Sequence, residues 1–224
     1  MTQIKICGIS AVEHALAAAE AGADYIGMVF AASRRQVSQE SAREIVRALE
    51  KRTHHPQTVG VFAGTPAAEV NRIAGFCGLD RIQLSGGESW DYCLQISHPL
   101  IKVIHMTPGI SAGDVTDVIS EGVRILKNQD VLYLLDTGTS QAFGGTGQTF
   151  DWSVAREAAA KYPVMIAGGL TPGNVSELIS QVHPPGVDVS SGVESGGTKD
   201  QEKIKTFIRL VKQADARLAE GRKQ

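Results

Sequence analysis

The chain has 224 residues, of which 42% are hydrophobic, a size that suits one domain over residues 1–224 with a large core. Its 22 basic and 24 acidic residues give a formal net charge of −2 without a basic patch, which argues against a nucleic-acid-binding protein. No apolar run is long enough to cross a bilayer and the three cysteines lack metal-ligand spacing, so we expect a cytoplasmic protein with no metal centre.

Short apolar segments alternate with amphipathic segments along the whole chain. We predict strands at residues 3–7, 24–30, 58–62, 80–85, 100–105, 130–136, 163–168 and 186–190. Helices are predicted between them at residues 10–21, 38–51, 66–77, 88–97, 111–125, 151–161, 172–182 and about 199–217. Ser10 with Glu13 forms a capping-box pattern at the start of the first helix, and Gly22 is placed to end that helix.

The strand–helix repetition indicates the fold class. Eight βα units of about 28 residues each fill the chain with no linker between them. This regular repetition favours a closed α/β structure, a (β/α)8 TIM barrel, over an open doubly wound sheet. The G-x-G-x-x-G and P-loop patterns are both absent, which argues against a nucleotide cofactor.

Alternation along the strands predicts which side chains face the barrel interior. If Cys7 points inward, Lys5 does too, while Ile4 and Ile6 pack outward against helices. The first and last strands are neighbours in a closed barrel, and Asp188 lies in the last strand. We therefore expect an ion pair between Lys5 and Asp188, since an unpaired buried charge is costly.

The functional site of a TIM barrel is built from loops at the carboxyl ends of its strands. There the first strand ends on Cys7 and the sixth on Asp136, and both side chains can transfer protons. Glycine-rich loops follow strands seven and eight, the usual phosphate position, where backbone N–H groups and a short helix N-terminus can hold a dianion. The candidate phosphate-binding residues are Gly168, Gly169, Ser190, Ser191 and Gly192.

Seven short motifs occur in order over essentially the whole chain. They are Lys5-Ile6-Cys7-Gly8-Ile9, Ser33-x-Arg35, Val59-Gly60-Val61-Phe62, Leu134-Leu135-Asp136-Thr137, the run from Gly144 to Trp152, Ala167-Gly168-Gly169-Leu170-Thr171-Pro172-x-Asn174-Val175 and Val187-Asp188-Val189-Ser190-Ser191-Gly192-Val193-Glu194. Each motif alone is weak, but the ordered set closely resembles the phosphoribosylanthranilate isomerase family.

That resemblance implies an isomerase of tryptophan biosynthesis that catalyses an Amadori rearrangement. Its small-molecule substrate would be a phosphorylated aminosugar, N-(5-phosphoribosyl)anthranilate, converted to 1-(2-carboxyphenylamino)-1-deoxyribulose 5-phosphate. The family works without metal or organic cofactor. Its general base matches Cys7, its general acid matches Asp136, and the arginine that holds the anthranilate carboxylate matches Arg35. Barrels of this length are monomers or homodimers, and the sequence does not decide between them.

Asp136 and Cys7 each suit this chemistry in one protonation state. Asp136 must be protonated near neutral pH to donate to the ribose ring oxygen, so its pKa should be raised by a poorly solvated site. Cys7 must be a thiolate to remove the proton from ribose C2, through a lowered pKa or proton exchange during ring opening. We expect the glycine-rich loop 137–149 to act as a lid.

Two alternative functions stay open. A related barrel isomerase of the histidine pathway acts on an aminoaldose with two phosphates and typically carries aspartate where Cys7 stands. It would need a second, symmetry-related phosphate loop, for which the turns at 62–64 and 85–87 are candidates. A non-catalytic phosphosugar-binding barrel would need neither Cys7 nor Asp136. Ser85 also departs from the histidine usual in the family, which bears on the shape of the anthranilate pocket.

Overall fold

The computed structural model describes residues 1–53, 55–139, 142–143 and 152–221. Eight strands form the barrel: β1 (Gln3–Cys7), β2 (Tyr25–Val29), β3 (Gln57–Phe62), β4 (Arg81–Leu84), β5 (Leu100–Met106), β6 (Val131–Thr139), β7 (Val164–Ile166) and β8 (Gly186–Val189). The helices are α1 (Val12–Ala21), α2 (Gln39–Glu50), α3 (Ala67–Cys77), α4 (Trp90–Cys93), α5 (Ala112–Ile125), α6 (Trp152–Ala159), α7 (Val175–Val182) and α8 (Gln201–Gly221). Shorter elements are the strands Ala142–Phe143, Glu194–Ser195 and Thr198–Lys199 and the 3-10 helix Ser191–Val193. Most of the predicted lid at 137–149 lies outside the described residues.

The eight strands close into a parallel barrel, which confirms the predicted fold class. Each strand pairs with the next along the chain, and β1 also pairs with β8. The register sets Lys5 opposite Asp188, and it sets His105 of β5 opposite Asp136 of β6. Because all strands run in the same direction, their carboxyl ends meet at one mouth of the barrel.

Two hydrophobic clusters hold the barrel together. The larger one lies between the strands and the helices and includes Ile4 and Ile6, as the alternation predicted. The smaller one fills the inside of the barrel with Tyr25, Val59, Ile101, Val103, Leu134, Met165 and Ala167. Burying this apolar surface stabilises the fold by roughly 25 cal/mol per Å². The barrel interior is therefore a packed base beneath the mouth.

The structure confirms the predicted end of α1 but not the predicted capping box at its start. Gly22 ends α1 in the left-handed region with φ of 97°, and its N–H donates to the carbonyls of Ala18 and Ala19, as predicted. The capping box predicted at Ser10 is wrong. The backbone is still extended at Ala11, so the helix begins at Val12 without a side-chain cap.

The helix predicted at 88–97 is reduced to the four residues of α4. Asn71 of α3 explains the early end, because its amide donates to the Gln95 carbonyl at 2.8 Å and accepts from the Ser97 N–H at 3.0 Å. These bonds satisfy backbone groups that a continuing helix would have paired internally. The chain is thereby free to turn into β5.

Candidate active site

One pocket at the mouth of the barrel collects most of the predicted site residues. Its lining includes Cys7, Arg35, Asp136, Gly168, Gly169, Ser190 and Ser191. Gly192 lies just behind this lining, where a Cβ atom would come within 1.8 Å of the Leu170 carbonyl oxygen. Residues from strands distant in sequence therefore converge on one pocket, which is the arrangement expected of a barrel active site.

Gly8 allows Arg35 to pack closely against the end of β1. Gly8 follows Cys7 and has a φ of +76°, and a Cβ atom there would lie 2.6 Å from Cδ of Arg35 and 3.1 Å from Oγ of Ser190. A side chain at this position would be strained and would displace Arg35. The glycine thus allows the arginine stem to cross beside the thiol into the pocket.

Beneath Cys7 lies the predicted ion pair, which the structure confirms. Lys5 Nζ donates to Asp188 Oδ1 at 3.1 Å, and both side chains are buried. A Cβ atom on Gly27 of β2 would lie 2.9 Å from Cys7 Sγ and 3.0 Å from Lys5 Nζ. The thiol and the ammonium therefore share the space that Gly27 leaves open.

The surroundings of Cys7 act on its pKa in opposite directions. Burial raises the pKa of the Cys7 thiol above its ordinary value, because a buried thiolate is poorly solvated. The positive charge of Lys5 lowers this pKa, the charge of Asp188 raises it, and the charge of Lys199 lowers it with a smaller effect. Burial has the largest effect, so the thiol form is favoured at neutral pH.

Asp136 has the raised pKa that its predicted role requires. Burial, followed by the negative charge of Asp188, raises the pKa of the Asp136 carboxyl to about 7. Lys5 and the neighbouring Thr137 oppose this shift, and Thr137 Oγ1 lies 3.5 Å from Asp136 Oδ1. Asp136 is therefore able to hold a proton near neutral pH.

Arg35 is held by Glu194, to which the sequence reasoning gave no role. Arg35 Nε donates to Glu194 Oε1 at 2.6 Å, and Arg35 Nη2 donates to Oε2 at 3.1 Å. Buried Lys199 donates to the same carboxylate at 2.8 Å and to the Ser190 carbonyl at 2.7 Å. Burial alone would raise the pKa of Glu194, but the hydrogen bonds from Arg35 and Lys199 lower it to about 2. The position of Glu194, two residues after the Ser190–Gly192 loop, was the available sequence signal.

The loops after β7 and β8 pack closely through their glycines. Gly168 and Gly169 have φ values of +87° and +65°, and a Cβ atom on Gly168 would lie 2.8 Å from the Thr137 backbone nitrogen. This packing against β6 and the Leu170 contact of Gly192 leave no room for side chains. Gly196 and Gly197 instead form the turn between the short strands Glu194–Ser195 and Thr198–Lys199.

The wall of the pocket opposite these loops carries the polar residues Gln83, Ser85 and His105. His105 lines the pocket, and its Nε2 lies 3.0 Å from the Ser85 carbonyl oxygen. Gln83 was missed, although its inward position follows from the alternation of β4. Its Nε2 donates to Ser85 Oγ at 3.2 Å, and its buried Oε1 has no hydrogen-bond partner among the described residues.

Neither a metal cluster nor a membrane span is found in the part of the chain that the structure describes. None of its groups of His, Cys, Asp or Glu has three or more members placed to hold a metal ion. None of its helices is both long and apolar enough to cross a membrane. A closed barrel with a polar pocket at the carboxyl ends of its strands defines the class of the protein, a TIM-barrel enzyme.

The particular family follows from its sequence match. The family model described as N-(5'phosphoribosyl)anthranilate (PRA) isomerase matches residues 4–210, so the chain belongs to this isomerase family of tryptophan biosynthesis. The N-(5'-phosphoribosyl)anthranilate isomerase of Dehalococcoides mccartyi is 51% identical over 96% of this chain and 98% of its own. The enzyme of Pelobacter propionicus is 43% identical over 95% of this chain and 97% of its own.

Solved structures agree with this assignment. The phosphoribosylanthranilate isomerase of Thermotoga maritima is 35% identical with a TM-score of 0.79, covering 95% of this chain and 100% of that one. A phosphoribosylanthranilate isomerase solved in complex with reduced 1-(o-carboxyphenylamino)-1-deoxyribulose 5-phosphate is 33% identical with a TM-score of 0.76, covering 95% of this chain and 100% of that one. The Thermotoga maritima enzyme is described as dimeric.

Proposed function

We propose that this chain converts N-(5-phosphoribosyl)anthranilate to 1-(2-carboxyphenylamino)-1-deoxyribulose 5-phosphate, with Asp136 as general acid and Cys7 as general base. The observation that carries this proposal is that both side chains line one pocket, which also contains a cation and the glycine loops of β7 and β8. A relative that is 33% identical binds a reduced form of the product.

Asp136 acts first, because the ribose ring must open before the sugar can rearrange. The Asp136 carboxyl gives its proton to the ring oxygen, the bond from that oxygen to C1 breaks, and a Schiff base forms between C1 and the anthranilate nitrogen. A pKa of about 7 keeps much of this carboxyl protonated at neutral pH. An unperturbed aspartic acid, with a pKa of about 4, would be almost entirely ionised there.

Cys7 acts second. Its thiolate takes the proton from C2, and the electron pair left behind forms the enolamine, which neutralises the Schiff base nitrogen. The enolamine then gains a proton at C1 and loses its hydroxyl proton to become the ketone. Atoms and electrons balance with no external oxidant, since the step moves hydrogen from C2 to C1. Asp136 regains a proton and Cys7 loses one before the next cycle.

The raised pKa values of Cys7 and Asp136 determine how much of the free enzyme is in the active protonation state. Burial holds the pKa of Cys7 above that of Asp136, so the pair of thiolate and carboxylic acid is a minor form of the free enzyme. The Lys5 ammonium beside the thiol makes this form more populated by favouring the thiolate. Activation of Cys7 is therefore assigned to Lys5 acting against burial.

The remaining site residues bind the two ends of the substrate. Arg35 presents five N–H donors, of which two engage Glu194, so others are available for the anthranilate carboxylate. The backbone of the loops Gly168–Gly169 and Ser190–Gly192 holds the 5-phosphate. The small-molecule aminosugar is thus held at both ends across the mouth. Whether the chain is a monomer or a homodimer, and its cytoplasmic location, stay predictions.

A fluorescence assay on phosphoribosylanthranilate generated in place tests the proposal. Wild type should consume the anthranilate signal rapidly, and Cys7→Ser and Asp136→Asn should each slow turnover by on the order of 10²–10⁴-fold. Cys77→Ser is the matched control for the thiol, because Cys77 is a buried cysteine of α3 that donates to the Gln39 carbonyl, which a hydroxyl can also do. Asp117→Asn, on the exposed face of α5, is the matched control for the carboxyl.

The outcomes separate the proposal from its alternatives. Near-wild-type rates in Cys7→Ser or Asp136→Asn would remove that residue from the mechanism. An inactive wild type that still bound the reduced product would favour the phosphosugar-binding barrel. Activity only on the bisphosphorylated aminoaldose would favour the histidine-pathway reaction.

A further inference from the structure

The carboxylate of Glu88 is bound by the backbone of two βα loops. The N–H of Gly64, after β3, donates to Glu88 Oε1 at 3.0 Å. The N–H of Gly86, after β4, lies 3.2 Å from Oε1 and 3.0 Å from Oε2. The Glu88 side chain is only 5% exposed. Two backbone N–H groups from neighbouring loops therefore converge on one buried anionic group.

This arrangement lies on the side of the barrel opposite the proposed phosphate site. In the ring of eight strands, β3 is four positions from β7, and β4 is four positions from β8. β3 and β4 are paired with Phe62 opposite Leu84, so their loops begin at neighbouring positions of the mouth. Ala63 and Ser85 of these loops line the same pocket as Cys7 and Asp136. Through its bonds to Gly64 and Gly86, Glu88 thus lies behind the pocket wall formed by Ala63 and Ser85, across from the loops Gly168–Gly169 and Ser190–Gly192.

The surroundings of Glu88 are built to hold an anion. A Cβ atom on Gly86 would lie 2.5 Å from Glu88 Oε1 and 2.8 Å from the Gly64 nitrogen, so only glycine leaves the carboxylate its place. Lys102 Nζ lies 3.8 Å from Glu88 Oε2 and donates to the Glu88 carbonyl, and its side chain is 7% exposed. Capping of α4 does not require Glu88, since Ser89 Oγ accepts from the Tyr92 N–H.

We propose that the Gly64 and Gly86 loops form a second anion cradle, which Glu88 occupies and thereby closes to a second phosphate group of a substrate. This inference rests on the proposed function, because it takes the loops of β7 and β8 as the site of the single phosphate. A phosphate at the cradle would have to displace Glu88, and it would be repelled by the carboxylate. Glu88 is then the residue that restricts the pocket to aminosugars with one phosphate.

Phosphorus NMR with inorganic phosphate as the probe tests the cradle directly. Wild type should show one bound phosphate, and Glu88→Ala should show two, because the two N–H groups and the Lys102 charge become available. Glu88→Gln is the matched control: it keeps the side-chain volume in the cradle and should still bind one. In Glu88→Ala/Lys102→Met the second phosphate should bind at least about tenfold more weakly, because its cation is gone. Glu88→Ser, whose hydroxyl is too short to fill the cradle, replaces Glu88→Ala if that variant does not fold.

The outcomes distinguish this inference from the proposed function. One bound phosphate in both wild type and Glu88→Ala would overturn the role of Glu88 and leave the isomerase proposal intact. No bound phosphate in wild type would count against the loops of β7 and β8. Even then, a single phosphate gained in Glu88→Ala and lost again in Glu88→Ala/Lys102→Met would support the cradle.

Discussion

Cys7 and Asp136 lie on two strands at the same mouth and burial raises the pKa of both, yet the charged groups that act on them most strongly have opposite sign. The thiol shares the space beside Gly27 with the Lys5 ammonium. The pKa of the Asp136 carboxyl is raised by burial and by the negative charge of Asp188. Lys5 and Asp188 are one ion pair. A single buried pair therefore favours the charged form of the base and the neutral form of the acid.

This comparison gives a reason for charges inside the barrel. A buried ion pair is often no more stabilising than well-packed apolar residues of similar volume. Tyr25, Val59 and Leu134 show that the barrel interior otherwise accommodates such residues. The pair Lys5–Asp188 is thus better explained by the two groups above it than by the stability of the fold.

Removing the Lys5 cation should change the pKa of Cys7 more than it changes the pKa of Asp136. Lys5→Met is expected to raise the pKa of Cys7 and to lower kcat/KM by about 10- to 100-fold, since an opposite charge at close range shifts a pKa by about 1–3 units. Lys5 also lowers the pKa of Asp136, but there it ranks behind burial, Asp188 and Thr137. The measurement is the rate of Cys7 alkylation by iodoacetamide against pH, together with kcat/KM.

The control for this variant is the loss of both charges. Lys5→Met leaves Asp188 buried without a partner, which costs roughly 3–5 kcal/mol of stability. Lys5→Met/Asp188→Asn removes that unpaired charge and should still raise the pKa of Cys7, because Lys5 affects the thiol more than Asp188 does. An unchanged alkylation profile in the double variant would show that Lys5 does not act on the thiol.

Removing the Asp188 anion should change the pH dependence of kcat/KM more than the size of kcat/KM between the two pKa values. In Asp188→Asn the pKa of Asp136 should fall below about 7, while the pKa of Cys7 falls as well. Because both shifts have the same sign, kcat/KM between the two pKa values should change only a few-fold. Arg35→Lys is the control, since it should raise KM through loss of the bidentate contact without moving the pH profile. A pH profile of kcat/KM that does not shift in Asp188→Asn would show that Asp188 does not raise the pKa of Asp136.

The sequence predicted the features that follow from local pattern and strand alternation. The repeat predicted the barrel, and the period of two in β1 and β8 predicted the Lys5–Asp188 pair. The predicted carboxyl ends of the first and sixth strands placed Cys7 and Asp136 at the same mouth of the barrel, and both side chains line one pocket there. These inferences succeed because the direction of a side chain in a strand is fixed by its position and the closed ring fixes which strands are neighbours.

Contacts that depend on loops were not predicted. Glu194, Lys199 and Glu88 all lie in the βα loop regions after the barrel strands, where the alternation of the barrel strands no longer predicts side-chain direction. Lys199 reaches Ser190 only because the hairpin through Gly196 and Gly197 folds back. The early end of α4 depends on Asn71, a residue of another helix.

The pH profile of kcat/KM for the wild-type enzyme tests the acid–base assignment most directly. With the pKa of Asp136 at about 7 and that of Cys7 higher, the fraction with thiolate and carboxylic acid rises up to about pH 7. It then stays level and falls once Cys7 is ionised. The lower break should lie above the second phosphate pKa of about 6 that the substrate itself contributes. A profile without a break near pH 7, or one whose break is unchanged in Asp188→Asn, would contradict the account.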